Sequence, residues 1–144
     1  MLLLDVNICL YAMRADSEHH AVARAWLEER IGGHEPVGVS EMVLAGVLRV
    51  STHHRIFAEP SHTSDVMAFC AALLAAPAAI RVRSGPRHWK IFSDLVAHHR
   101  PRGNDVPDTY LAALALEIGA TWVSADRAFA RFEGLRLLNP LDGH

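Results

Sequence analysis

Charge of one sign is what this sequence has least of: 14 Lys and Arg stand against 16 Asp and Glu, a formal balance of −2 with histidine neutral. No global basic footprint is present to draw the chain onto a polyanion, although cations bound at four of its carboxylates would reverse the sign. Cysteine is nearly absent. Cys9 and Cys70 sit in apolar contexts without partner spacing, which excludes a zinc-type cysteine set and a disulfide framework. Two buried free thiols are expected, with one disulfide as the alternative. Long apolar runs are missing too: the longest, Val66 to Ile80, is too short for a membrane span and contains Pro77. The opening MLLLDVN carries no basic region or small-residue cleavage site, so it reads as a strand and the protein is expected to be soluble and cytoplasmic. Internal repeats, linkers and low-complexity tracts are also lacking.

What remains is a chain of 144 residues, 51% hydrophobic, enough for one sizeable core and one domain over 1–144. Leu2 to Leu4 read as a buried strand ending at Asp5, and Asn7 to Arg14 as a short helix. Ser17 is expected to cap a second helix, with Ala23, Leu27 and Ile31 on its apolar side and Trp26 alongside, ended by Gly32 and Gly33. Glu35 to Val39 follows as a strand. Ser40 then caps a helix that carries Glu41 in its first turn and runs toward Arg49. Ser51 to Pro60 reads as a loop or frayed helix end. Val66, Phe69, Cys70, Leu73 and Leu74 repeat at helical spacing up to Pro77, and Ala79 to Arg83 alternates as a strand near the sheet edge. Beyond Gly85 and Pro86, a helix carries Trp89, Phe92, Leu95 and Val96, with Trp89 and Trp122 expected in the core. His98 to Pro107 reads as a loop, and Asp108 as the opening of a helix terminated by Gly119. Thr121 to Ser124 is a strand delivering Asp126; Phe129 and Phe132 belong to a short helical segment before a last strand, Leu135 to Leu138. Such alternation predicts an α/β fold of three layers, a central mostly parallel sheet flanked by helices.

Asp5 and Asp126 thus follow strands, while Glu41 and Asp108 begin helices, positions that converge at the carboxyl ends of the strands in an open α/β sheet. Crowded carboxylates repel and raise one another's pKa unless a cation neutralises them. Hard Mg2+ or Mn2+ with retained waters answers that requirement, and no patterned His and Cys set argues for zinc. A metal there can bind a phosphodiester oxygen, orient a water and lower its pKa. Singly, each acid has an ordinary explanation as a turn cap or helix-dipole partner; only their combination points to chemistry.

The order of motifs adds to this. Asp5-Val6-Asn7 after the opening strand, Ser40-Glu41 leading a helix, Gly103 to Asp108 before an alanine-rich helix, and Gly119-Ala120-Thr121 followed by Ser124 to Phe129 together resemble a PIN domain of the VapC-like toxin group. THHRIFAEP, Thr52 to Pro60, resembles a stretch of mycobacterial-type members, so the likeness spans essentially the whole chain. The resemblance implies a PIN-like fold and a metal-dependent endoribonuclease, using Mg2+ or Mn2+ and held inactive by a cognate antitoxin, as a homodimer within a larger toxin–antitoxin complex. It makes Asp5, Glu41, Asp108 and Asp126 the acidic site. Asp5 and Asp108 would be the firmest metal ligands, Glu41 and Asp126 would support metal directly or through water, and Asn7 and Ser124 would help hold the site. Asp105 is an auxiliary acid or a loop cap. The segment after Asp126 lacks the further acid that many relatives carry, so no fifth ligand is expected.

An RNA substrate needs cations near the acids. Arg14, Arg49 and Arg55 with His53 and His54 form one candidate rim; Arg102 and Arg127 with His98, His99 and Arg100 form another, although for each residue singly an ordinary solvated face is the favoured reading. His53 and His54 have no orienting carboxylate and are poor general bases. Three rival functions are a metal-dependent phosphatase, a DNA nuclease and a non-catalytic interaction module. The first is disfavoured because Asp5-Val6-Asn7 lacks the second acid of an aspartate-nucleophile pattern.

Overall fold

Five short strands form the centre of the computed structural model, which describes residues 1–143. They are β1 (Leu2–Leu4), β2 (Val37–Ser40), β3 (Ala79–Val82), β4 (Thr121–Val123) and β5 (Arg136–Leu138). Their order across the sheet is β3-β2-β1-β4-β5, and all four pairings are parallel. The expected mostly parallel sheet is therefore parallel throughout the described residues.

Six helices connect the strands: α1 (Val6–Met13), α2 (His20–Ile31), α3 (Glu41–Ser51), α4 (Thr63–Ala75), α5 (His88–His99) and α6 (Asp105–Ile118); a short 3-10 helix, Arg127–Arg131, precedes β5. Every residue of β1 and β2 is buried, side chains pointing both ways, so helices cover both faces of the sheet centre. The core gathers Leu3, Leu4, Ile8, Val37, Val39, Val47, Val66, Trp122 and Phe129. Gly38 lies where β2 passes between neighbours: an added Cβ would come within 2.8 Å of Val82 and 3.1 Å of the Leu2 carbonyl. β3 is an edge strand, as its alternation predicts, and leaves Ile80 exposed. Cys9 and Cys70 are both free and buried.

The strand order decides where a site can form. From β1 the chain steps outward to β2 and β3, then crosses back to β4 on the other side of β1. Right-handed crossovers in the two directions place their helices on opposite faces, which opens a crevice at the β1–β4 boundary. Asp5 and Asp126 follow those two strands.

Several local expectations shift. α6 starts at Asp105, with Pro107 in its first turn, where a missing N–H costs nothing; Asp108 is therefore inside that turn, and the expected loop shrinks to residues 100–104. His98 and His99 finish α5, and Arg100 ends it in the left-handed region at φ 51. Ser17 does not cap α2. Its hydroxyl accepts from the His19 N–H in the turn before the helix. Trp122 is fully buried, but Trp89 is 70% exposed, against the expectation of core packing. The first turn of α5 buries His88 instead, whose Nε2 is 3.0 Å from the Tyr110 carbonyl oxygen.

Candidate active site

Asp5 is both a helix cap and the buried centre of the crevice. Its Oδ1 accepts from the Val6 N–H at 2.7 Å, capping α1, and its Oδ2 accepts from Ser124 Oγ at 2.6 Å. Asn7, the second residue of α1, donates to Ser124 Oγ (3.1 Å) and Asp5 Oδ2 (3.4 Å), while its own Oδ1 accepts from the Ala125 N–H. Ser124 Oγ also accepts from the Asp126 N–H at 3.0 Å. The ends of β1 and β4 are thus tied together by side chains separated by more than a hundred residues in sequence. Asp5, Asn7 and Ser124 are in mutual hydrogen-bond contact.

Burial pushes the Asp5 carboxyl from an ordinary 3.8 up to about 6; the Ser124 and Val6 hydrogen bonds oppose the rise, and the charges of Asp108 and Asp126 add to it. Asp108 is also raised, first by burial and then by Asp126, with Arg131 opposing and Asp105 adding. Three aspartates therefore lie within one another's field, with Asp105 beside them. Asp126 additionally caps the 3-10 helix by accepting from the Ala128 N–H. A depression of 480 Å³ opens over Asp5 and Asp108, walled by Met42, Ala45, Gly46 and Arg49 of α3 and by Asn104.

Glu41 is not on that wall. The stripe Met42, Ala45, Gly46 and Arg49 faces the aspartates, whereas Glu41, Leu44, Ala45 and Leu48 face a larger, mainly apolar groove of 670 Å³ between α3 and α4. A one-residue offset turns a helical side chain by about 100°. Glu41 is half exposed, and its Oε1 accepts from Arg83 Nη2 at 3.2 Å.

The expected arginine rims divide as well. Arg49 lines the depression. Arg14 is consumed in structure: it donates to both Asp16 oxygens, Ser61 Oγ and the Glu59 carbonyl, and lies 3.6 Å from the Phe57 ring centroid, fastening the 52–62 segment to α1. Arg127 pairs with Asp142 at 3.1 Å. Arg55 and Arg102 are exposed on loops. Arg131, absent from the sequence-based candidates, is the cation whose charge reaches Asp108. Nothing in R-A-F-A-R-F distinguishes it from Arg127 before the 3-10 helix is in place.

The donor chemistry suits a hard divalent cation. Carboxylate, amide and hydroxyl oxygens gather at Asp5, Asn7 and Ser124, and a bound cation would lower the raised Asp5 and Asp108 carboxyls. Among the described residues no three His, Cys, Asp or Glu side chains stand as a preformed cage. Mg2+ does not require one, since it binds through one or two carboxylates and keeps several waters.

A crevice at a parallel-sheet switch point, edged by aspartates, defines an α/β protein with an acidic site at the carboxyl ends of its strands. The PIN domain family model matches residues 2–135, and the chain belongs to the PIN-domain family, among relatives that are VapC ribonucleases. Ribonuclease VapC43 of Mycobacterium tuberculosis is 51% identical over 99% of this chain and 97% of its own length. In fold, the chain is similar to VapBC2 from Rickettsia felis, solved bound to a DNA fragment from their promoter, with TM-score 0.69, 20% identity and coverage of 96% of this chain and 97% of that one. A toxin–antitoxin complex from Klebsiella pneumoniae gives TM-score 0.60 and 16% identity, covering 97% and 98%. No helix among the described residues is long and apolar enough to cross a membrane.

Proposed function

We propose that this chain, a single PIN domain over residues 1–144, is a metal-dependent endoribonuclease and the toxin of a toxin–antitoxin pair, acting in the cytoplasm. The observation that carries the reading is that Asp5 and Asp108 line one depression at the end of β1, within the field of Asp126, and that both carboxyls are raised. Asp5 and Asp108 would hold Mg2+, with Mn2+ as a substitute. Bound there, the ion supplies Lewis acidity toward a phosphodiester oxygen and a lowered pKa for an attacking water. Ser124 and Asn7 fix the Asp5 carboxylate so that one face stays open to the depression. Asp126 adds negative field from the 3-10 turn, and Asp105 does the same more remotely. Glu41, paired with Arg83 and turned toward the α3–α4 groove, stands outside this metal site. Arg49 meets the RNA backbone at the α3 wall, with Arg55, Arg102 and Arg127 as outer cations.

The partner is a cognate antitoxin. The apolar groove between α3 and α4 fits an amphipathic helix, and Glu41 at its edge gives a basic side chain something to meet. The toxin itself is a homodimer within the larger complex, as its family likeness implies. Purified antitoxin-free protein is expected to cut total cellular RNA with Mg2+ or Mn2+ and to stop in chelator. Asp108→Asn should abolish cutting with an unchanged circular-dichroism spectrum, whereas Glu41→Gln should retain at least about a tenth of the rate, that is, lose under about 1.4 kcal/mol of barrier lowering. Full cleavage by folded Asp108→Asn would defeat the assignment.

A further inference from the structure

Two arginines flank the acidic site and are held differently, one in the lining of the depression and one in the 3-10 turn that follows Asp126. Arg49 projects from the last turn of α3 into the depression. Arg131 ends the 3-10 helix that Asp126 caps. Its guanidinium lies 4.3 Å from the Phe132 ring centroid and 5.9 Å from that of Phe129, both rings buried, and its Nη1 donates to the Ala128 carbonyl at 2.5 Å. His99 packs edge-on against the same Phe132 ring at 4.9 Å. Its pKa is pushed below the usual histidine value by burial, then by His98 and Arg131.

Arg131, held by a carbonyl and an aromatic ring, has no carboxylate partner among the described residues. Arg14, Arg24, Arg83, Lys90 and Arg127 each have a carboxylate partner, whereas among the described residues no carboxylate lies within 4.0 Å of Arg131. Yet its charge reaches Asp108. An arginine side chain normally gives up considerable rotamer freedom when it captures an anion; one laid on an aromatic platform has already given up part of it. Its planar fork then matches two oxygens of a phosphate, a geometry lysine cannot reproduce.

We propose that Arg131 is a phosphate-positioning residue, holding a backbone phosphate of the RNA strand at the Asp126 turn, on the edge of the acidic site, while Arg49 meets the strand from α3. This rests on the ribonuclease reading and gives that site its grip on the substrate. An arginine serving only to cover Phe132 and close the turn through Ala128 would leave the salt dependence of RNA binding unchanged.

The test is fluorescence anisotropy with the full chain and a labelled single-stranded RNA of mixed sequence, about 20 nucleotides long, titrated across NaCl concentrations in chelator; there nothing is cut and only monovalent ions are released. Arg131→Ala should weaken binding and reduce the slope of log K against log salt by about 0.7, the contribution of one single-strand phosphate. Arg131→Lys should recover the slope through its charge. Arg24→Ala on α2 should match wild type. A folded Arg131→Ala with the wild-type slope, or an Arg131→Lys slope no better than alanine's, overturns the assignment of Arg131 alone. Failure of the wild-type protein to bind RNA overturns the ribonuclease reading with it.

Discussion

Asp5→Asn should make the metal-free protein more stable at neutral pH while disabling it as a metal site. Asp5 is 6% exposed, and burial lifts its carboxyl from 3.8 to about 6. Between those values the folded protein keeps a proton that the unfolded chain has released. Stability therefore falls as pH rises from about 4 to about 6 and stays lowered above it, by roughly two pK units at 1.36 kcal/mol each, or about 3 kcal/mol. Asparagine carries no charge to desolvate and can still cap α1 through its side-chain oxygen. Its amide faces Ser124 and Asn7 with the wrong polarity at one position, an offset of about 1 kcal/mol. The net gain at pH 7 is about 2 kcal/mol. Urea unfolding in chelator, followed from pH 4 to pH 8, measures it directly. Asp108, raised in the same direction, leaves a residual slope in the variant. Saturating Mg2+ should reverse the order: wild type gains about 2.7 kcal/mol at a hundred times Kd, and Asp5→Asn gains nothing comparable. An Asp5→Asn protein less stable than wild type in chelator at pH 7, with the full decline between pH 4 and 6 retained, would refute the reasoning.

Ser124→Ala removes the hydroxyl that donates to Asp5 at 2.6 Å and accepts from Asn7 and from the Asp126 N–H. Mg2+ affinity should drop roughly 10- to 100-fold in calorimetric titration; an unchanged Kd would show that these bonds do not orient the carboxylate. Glu117→Ala probes the scaffold away from the aspartates. The Glu117 carboxylate is buried and accepts from the Gly85 N–H at 2.7 Å and the Arg87 N–H at 2.9 Å, pinning the start of α5 to α6. Stranding two backbone donors should cost about 2–4 kcal/mol in denaturant unfolding, and a loss under about 0.5 kcal/mol would mean that water replaces the carboxylate freely.

Much of the fold is written in short-range pattern. Apolar triplets such as Leu2 to Leu4, stopped by an acid, are what a strand covered on both faces requires. Ser40 caps its helix because a hydroxyl there satisfies an orphan N–H at the first turn, and it does so through Met42. Pattern is weaker at boundaries. Asp105 competes with Asp108 to open α6, and Pro107 reads as a breaker until it is seen in a first turn, where proline is harmless. Trp89 shows the same limit: helical spacing identifies an apolar stripe but not whether another layer covers it.

For the site, local sequence marked out the candidates: Asp5 and Asp126 at strand ends, Asp108 in a first helical turn, and Asn7 and Ser124 beside them. Tertiary structure alone decided which of them meet. The reversal of strand order puts β1 beside β4, so residues 5 and 124 share a hydrogen bond. The orientation of α3 turns Glu41 toward Arg83 and presents Arg49 to the aspartates. Packing consumes Arg14 in a loop clamp yet leaves Arg131 unpaired on Phe132. The reason is one of range: caps and periodicity act over about four residues, whereas charge and burial act through space, and only the folded chain sets those distances.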